Sequence, residues 1–90
     1  MNCYAMLMAS GPDRPGLVDN ISKYIFKCGC SIEDSRMAIL GGEFAMLILV
    51  MGEDAALQKL LKGAQKAGEA AGLAVHARTT KAPGEAAPLP

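Results

Sequence analysis

The run from Gly11 to Phe44, GPDRPGLVDNISKYIFKCGCSIEDSRMAILGGEF, leaves this chain few ways to fold. Before it, the apolar stretch Cys3 to Ala9 ends at Ser10-Gly11-Pro12 and reads as a buried strand. Pro15 suits a first helical position, with Asp13 or Arg14 as the cap ahead of it. Leu17, Val18, Ile21, Tyr24, Ile25 and Cys28 recur at helical spacing, leaving Asp19, Asn20, Ser22, Lys23 and Lys27 outside. Gly29 then stops the helix, as glycine does just past a helix end. Ser31 to Leu40 reads as a strand whose Glu33, Asp34 and Arg36 blunt a sheet edge. Gly41-Gly42 supplies a two-residue hairpin turn.

The remainder completes the pattern. Phe44 to Met51 is continuously apolar, which predicts a central strand. Gly52-Glu53-Asp54 opens a second helix with Ala56, Leu57, Leu60, Leu61 and Ala64 on one face. Gly63, Gly68 and Gly72 weaken it, by about 1 kcal/mol for each interior glycine, and its last turn near Glu69 to Gly72 is expected to fray. Leu73 to Thr80 is the last strand. The order βαββαβ predicts an α+β fold, a ferredoxin-like two-layer sandwich: an antiparallel sheet with two helices on one face and the first and third strands central. One domain is expected over residues 1–80, with a flexible proline-containing tail over 81–90.

Composition narrows the function. Nine basic and nine acidic residues cancel, so the chain lacks the basic face that direct nucleic-acid binding needs, and a membrane-surface role is not expected either. No stretch reaches the roughly 18 apolar residues of a spanning helix, and the N-terminus MNCYAMLM has no signal-peptide layout. Three cysteines, an odd number, do not suggest a secreted disulfide framework. A cytoplasmic location is the expectation. In the first and third strands both alternating sets of side chains are apolar, so helices on one face would leave the other bare. That predicts a homodimer or contact with another domain.

The loop Gly11 to Gly16 is the strongest site candidate. Gly11 and Gly16 allow close backbone approach, and the N–H groups of the first helical turn favour an anion such as a carboxylate. A ligand's ammonium group would need an acceptor, for which Asp13, Asp34 or a backbone carbonyl are the candidates. Asp34, Ser35 and Arg36 line either a pocket at a dimer interface or a solvated edge. Cys28, Cys30 and the single His76 do not make a zinc pattern. Cys28 lies on the apolar helix face, and His76 alternates with Arg78 on a surface or interface side. There is no phosphate loop, dinucleotide fingerprint, paired carboxylate or nucleophile–base pair. No enzyme activity, catalytic residue, metal or cofactor is expected.

Gly11-x-Asp13-Arg14-Pro15-Gly16-Leu17-Val18 after a first strand, on a βαββαβ pattern, resembles the ACT domain, a small amino-acid-sensing module. The segment Cys28-Gly29-Cys30-Ser31-Ile32-Glu33-Asp34-Ser35-Arg36, with Ala38, Leu40-Gly41 and Glu43-Phe44, is similar to the ACT domains of glycine-cleavage repressors. Those repressors carry two such domains in tandem, whereas this chain has one. The resemblance implies a regulatory domain that binds a small amino acid, glycine first and serine next, at a dimer interface. The implied ligand-binding residues are Gly11, Asp13, Arg14, Pro15, Gly16 and Leu17 of one subunit, with Ser31, Ile32, Asp34 and Ser35 of the other. It also implies action through a transcription factor or an enzyme as protein partner. Many family members have Asn where Ser31 stands, and serine offers one hydroxyl in place of an amide. The alternative is a ligand-free dimeric interaction domain.

Overall fold

The computed structural model describes residues 2–81; most of the expected tail, residues 82–90, lies outside them. Six elements follow one another: β1 (Asn2–Pro12), α1 (Leu17–Lys27), β2 (Ser31–Leu40), β3 (Glu43–Glu53), α2 (Asp54–Ala70) and β4 (Ala74–Thr80). The sheet is antiparallel in the order β2-β3-β1-β4, so β1 and β3 are central and β2 and β4 are edges. This is the ferredoxin-like two-layer sandwich, and it is the arrangement that the apolar runs of β1 and β3 require.

Period-two alternation sorts the central strands. Ala5, Leu7 and Ala9 of β1, with Phe44, Met46, Ile48 and Val50 of β3, are buried beneath Leu17, Ile21 and Ile25 of α1 and Leu57, Leu60 and Ala64 of α2. Fully buried aliphatic side chains such as Leu7, Ile48 and Leu60 each stabilise the fold by about 1.5–3 kcal/mol. The Tyr24 hydroxyl donates to the Leu60 carbonyl at 2.7 Å and ties the two helices together.

Three local expectations change. α1 begins at Leu17, and Gly16, not Asp13 or Arg14, is its N-cap; Pro15 sits in the turn before it. Gly16 has φ 85°, a left-handed conformation that swings the chain into the helix and that glycine adopts without a steric penalty. The end of α2 is closed rather than frayed, because the Leu73 N–H donates to the Gly68 carbonyl at 2.8 Å and the Gly72 N–H to the Glu69 carbonyl at 3.0 Å. The α2 glycines are contact points as well as weak points: a Cβ on Gly63 would meet the Tyr24 hydroxyl, and one on Gly68 would overlap Val75.

β2 pairs only with β3, so its outer edge is open. A bulge at Glu33 interrupts its register between Ile32 and Asp34. No helix among the described residues is long and apolar enough to cross a membrane.

Candidate functional site

The sequence-predicted site residues fall into two groups, one at the end of β1 and one running from the far end of β2 to its middle. Gly11 to Leu17 lie at the end of β1, where Pro12 pairs with Glu43 and the Asp13 N–H donates to the Gly42 carbonyl at 2.9 Å. Ser31 pairs with Met51 at the far end of the sheet. Nine residue steps, about 30 Å at the usual rise per residue, separate Ser31 from Leu40, whereas Ser35 lies mid-strand, two positions from the Met37 that lines the groove beside the loop. Within one chain Ser31 and Ile32 lie far from the loop, and Ser35 is the nearest of the second group to it.

Each loop residue has a defined setting. Gly11 is held by packing, since a Cβ there would lie 2.9 Å from a Leu73 methyl and 3.1 Å from the Gly72 carbonyl. A Cβ on Gly16 would meet nothing within 4 Å, so its constraint is the backbone angle and not a close approach. Arg14 turns away from the start of α1: its Nη2 donates to the Ala71 carbonyl at 2.5 Å, and the guanidinium lies over Gly72. It thereby caps the negative end of α2. Pro15 lies beside α2's last turn. Leu17 is buried and anchors the helix start to the core.

No side chain caps α1, so its leading N–H groups face the loop without a side-chain acceptor. They open beside a shallow groove between α1 and β2, walled by Val18, Ser22, Met37, Ile39 and Phe44, with Asp13 and Gly16 at its mouth. This groove is notably apolar and exposed. Met37 is 54% exposed, Ile39 52% and Val18 41%; Phe26, two turns beyond Val18 on the same flank of α1, is 59% exposed. Sequence reasoning placed Val18 on the core face and gave Phe26, Met37 and Ile39 no role. Their signal was an apolar half of β2 on a strand already read as an edge.

In the second group, register splits the side chains between the faces. Ser35, opposite Ile48, and Ile32, opposite Val50, lie on the helix side; Asp34 and Ser31 lie on the open side, opposite Leu49 and Met51. Asp34 is already engaged, its Oδ1 accepting from Arg36 Nη1 at 2.7 Å and from the Ser35 N–H at 2.8 Å. This exposed cluster is the β2 part of the open face.

The thiols lie elsewhere. Cys28 and Cys30 are buried, and Cys30 packs on the β3 backbone at Gly52. Burial, and then Cys28 beside it, push the Cys30 thiol up. Burial, then the hydrogen bond and charge of Cys28, push the Tyr24 hydroxyl well above the ordinary tyrosine range. Both effects hold protons on and leave Cys30 a poor nucleophile. Among the described residues no group of histidine, cysteine and carboxylate side chains is placed to hold a metal ion.

Comparison with known proteins matches residues 4–78 to a family model described as the ACT domain. The glycine cleavage system transcriptional repressor of Escherichia coli is 43% identical over 67 residues, covering 69% of this chain and 35% of the repressor. UPF0237 protein MK1213 of Methanopyrus kandleri is 40% identical over 73 residues, 79% of this chain and 81% of that protein. The crystal structure of a protein assigned as a glycine cleavage system transcriptional repressor superposes with a TM-score of 0.88 at 25% identity, over 97% of this chain and 51% of that one. The chain thus spans about a third of the curated repressor and half of the crystallised one.

Proposed function

The chain belongs to the ACT domain family, and from that premise we propose that it is a regulatory domain sensing a small amino acid at the interface of a homodimer. The observation that carries this reading is the open edge of β2 with its exposed apolar flank on the helix layer. Antiparallel pairing of β2 with the same strand of a second copy would cover Val18, Phe26, Met37 and Ile39. It would also carry the partner's Ser31–Ser35 segment to the Gly11–Gly16 loop, bringing to the loop the Ser31 end that within one chain lies at the far end of β2.

In that composite site the ligand carboxylate takes the leading N–H groups of α1. Asp13 at the mouth accepts from the ammonium, and the partner's Ile32 and Ser35 close the helix side. Asp34 is not the acceptor, because its carboxylate lies on the other face of the sheet and is held by Arg36. Glycine is the favoured ligand because the 43% identical relative is a repressor of the glycine cleavage system; serine is next. Binding across two chains favours one arrangement of them, which a transcription factor or an enzyme can read. The expected location is cytoplasmic.

A thermal-shift scan against the twenty amino acids tests the proposal. A ligand at 100 times its dissociation constant adds about 2.7 kcal/mol, a shift of several degrees for a domain of this size. A selective shift with glycine or serine supports the reading; no shift with any amino acid overturns sensing. One observation favours a second reading, a ligand-free interaction domain. Arg14, the one cation of the loop, is spent on the Ala71 carbonyl and not turned toward an incoming carboxylate.

A further inference from the structure

Arg14 borders two grooves at once. One is the groove between α1 and β2, which it shares with Asp13, Gly16 and Ser22. The other lies between the first turn of α1 and the last turn of α2, lined by Pro15, Asn20, Glu69 and Gly72. The guanidinium occupies the second groove. Its Nη2 donates to the Ala71 carbonyl at 2.5 Å, and the missing Cβ of Gly72 leaves it room to do so. Both the side chain and its hydrogen bond are exposed, so water competes for each partner and the contact exchanges easily.

We infer that Arg14 is a latch with two positions, and that a ligand carboxylate at the start of α1 draws it off the end of α2. The inference rests on the amino-acid sensing proposed above and gives that site its regulation. The end of α2 offers the guanidinium a partial negative charge, about half an elementary charge for the whole helix terminus, with Glu69 in the same groove. A bound carboxylate offers a full charge and accepts two parallel N–H bonds from one guanidinium. The N-terminus of α1 fixes where that carboxylate sits. Arg14 lies two residues before the N-cap Gly16, so side-chain rotation carries the guanidinium from one groove to the other.

The consequence falls on α2. In the latched chain its last turn closes with the Gly72 N–H on the Glu69 carbonyl and the Leu73 N–H on the Gly68 carbonyl, and β4 begins at Ala74 directly after. Once Arg14 leaves, the Ala71 carbonyl turns to water and this turn loosens, while the start of α1 tightens on its ligand. A ligand bound at one helix terminus is thereby read at the terminus of the other helix. Linkage makes the effect reciprocal: whatever evicts Arg14 from α2 must raise ligand affinity. For a charge at an exposed helix end that factor is about two- to fivefold.

Carbonyl-carbon and amide NMR on the whole chain, titrated with glycine and with serine, tests this. Amides of the first turn of α1 report binding, and the Ala71 carbonyl carbon reports the latch. At saturation the Ala71 signal should move to the value seen in ligand-free Arg14→Ala, and in that variant it should ignore the ligand. Calorimetry supplies a second readout. Gly72→Ala, checked for its fold by circular dichroism, evicts the guanidinium and should bind about two- to fivefold more tightly, whereas Arg14→Ala should bind more weakly. A merely structural role for Arg14 would not give opposite signs. If Gly72→Ala fails to fold, the Ala71 signal of the wild type still decides. Amides of α1 that respond while Ala71 stays in place overturn the latch and keep the sensing. Unchanged affinity in a folded Gly72→Ala also overturns the latch. No response at α1 to either amino acid overturns glycine and serine sensing, and the latch with it.

Discussion

Gly68 puts local propensity and packing in direct opposition. It lies inside α2, where replacement by alanine should stabilise an exposed helix by about 1 kcal/mol. Yet Gly68 is buried, and a Cβ there would overlap Val75 and lie 3.1 Å from the Leu73 carbonyl. Overpacking of a tight contact costs about 1–3 kcal/mol, which exceeds the propensity gain. Gly68→Ala is therefore expected to lower stability, and the same change in a Val75→Ala background to cost less. Urea melts of the four chains of this double-mutant cycle decide it; additive effects would mean that Val75 is not the obstacle. Gly72 is held twice over, by φ 78° and by the Arg14 guanidinium above it. Gly72→Ala should cost about 1–2 kcal/mol in left-handed strain alone. A further loss should come from a released Arg14, visible as a loss of the additional effect of Arg14→Ala in the variant.

Tyr24 links two elements, and its chemistry gives their junction a pH dependence. Burial and Cys28 raise its hydroxyl in the folded chain, whereas the unfolded chain ionises near the ordinary value of about 10. Below pH 10 both states hold the proton and the stability of the junction is complete. Above it the unfolded chain binds fewer protons than the native one, so stability falls as pH rises. Cys30, raised in the same sense, adds to the loss from about pH 9. Tyr24→Phe should lose about 1 kcal/mol at neutral pH with the Leu60 hydrogen bond. It should then show a shallower alkaline decline than the wild type in thermal melts between pH 8 and 11; parallel curves would mean that Tyr24 does not carry the effect. The elements themselves were legible in sequence because each had a strong punctuation mark. Gly29, Gly41-Gly42 and the apolar run Phe44 to Met51 fixed a stop, a turn and a central strand. The start of α1 was misread because proline propensity pointed to Pro15, while the left-handed turn at Gly16 set the true boundary. The setting of Arg14 was invisible, since its partner at Ala71 lies 57 residues away.

For the whole molecule, the apolar surplus of β1 and β3 was readable and led to the expectation of a partner, but its division between two surfaces was not. Met37 and Ile39 look like any edge-strand alternation, and only the fold shows both of them exposed on the helix side. The same limit applies to the candidate site, whose Ser31 end sits close to the loop in the motif and at the far end of β2 in the folded chain. A site shared between copies has a signature that a site within one chain lacks. Gly16→Val forces a β-branched residue to φ 85° and should displace the start of α1, spoiling the loop half. Ser35→Asp puts a carboxylate on the helix side of β2 and should repel the ligand's own, spoiling the strand half. Either variant alone has both sites of its dimer defective and is expected to show no amino-acid response. In a mixed dimer, one site combines the intact loop of the Ser35→Asp chain with the intact strand of the Gly16→Val chain. After random exchange of an equal mixture, half of the dimers are mixed and each has one good site, so calorimetry should recover about a quarter of wild-type binding at wild-type affinity. Recovery at that level requires the two halves to come from different chains. If each variant is dimeric and folded but the mixture binds nothing, the ligand site lies within one chain, and the edge of β2 is left as a surface for assembly alone.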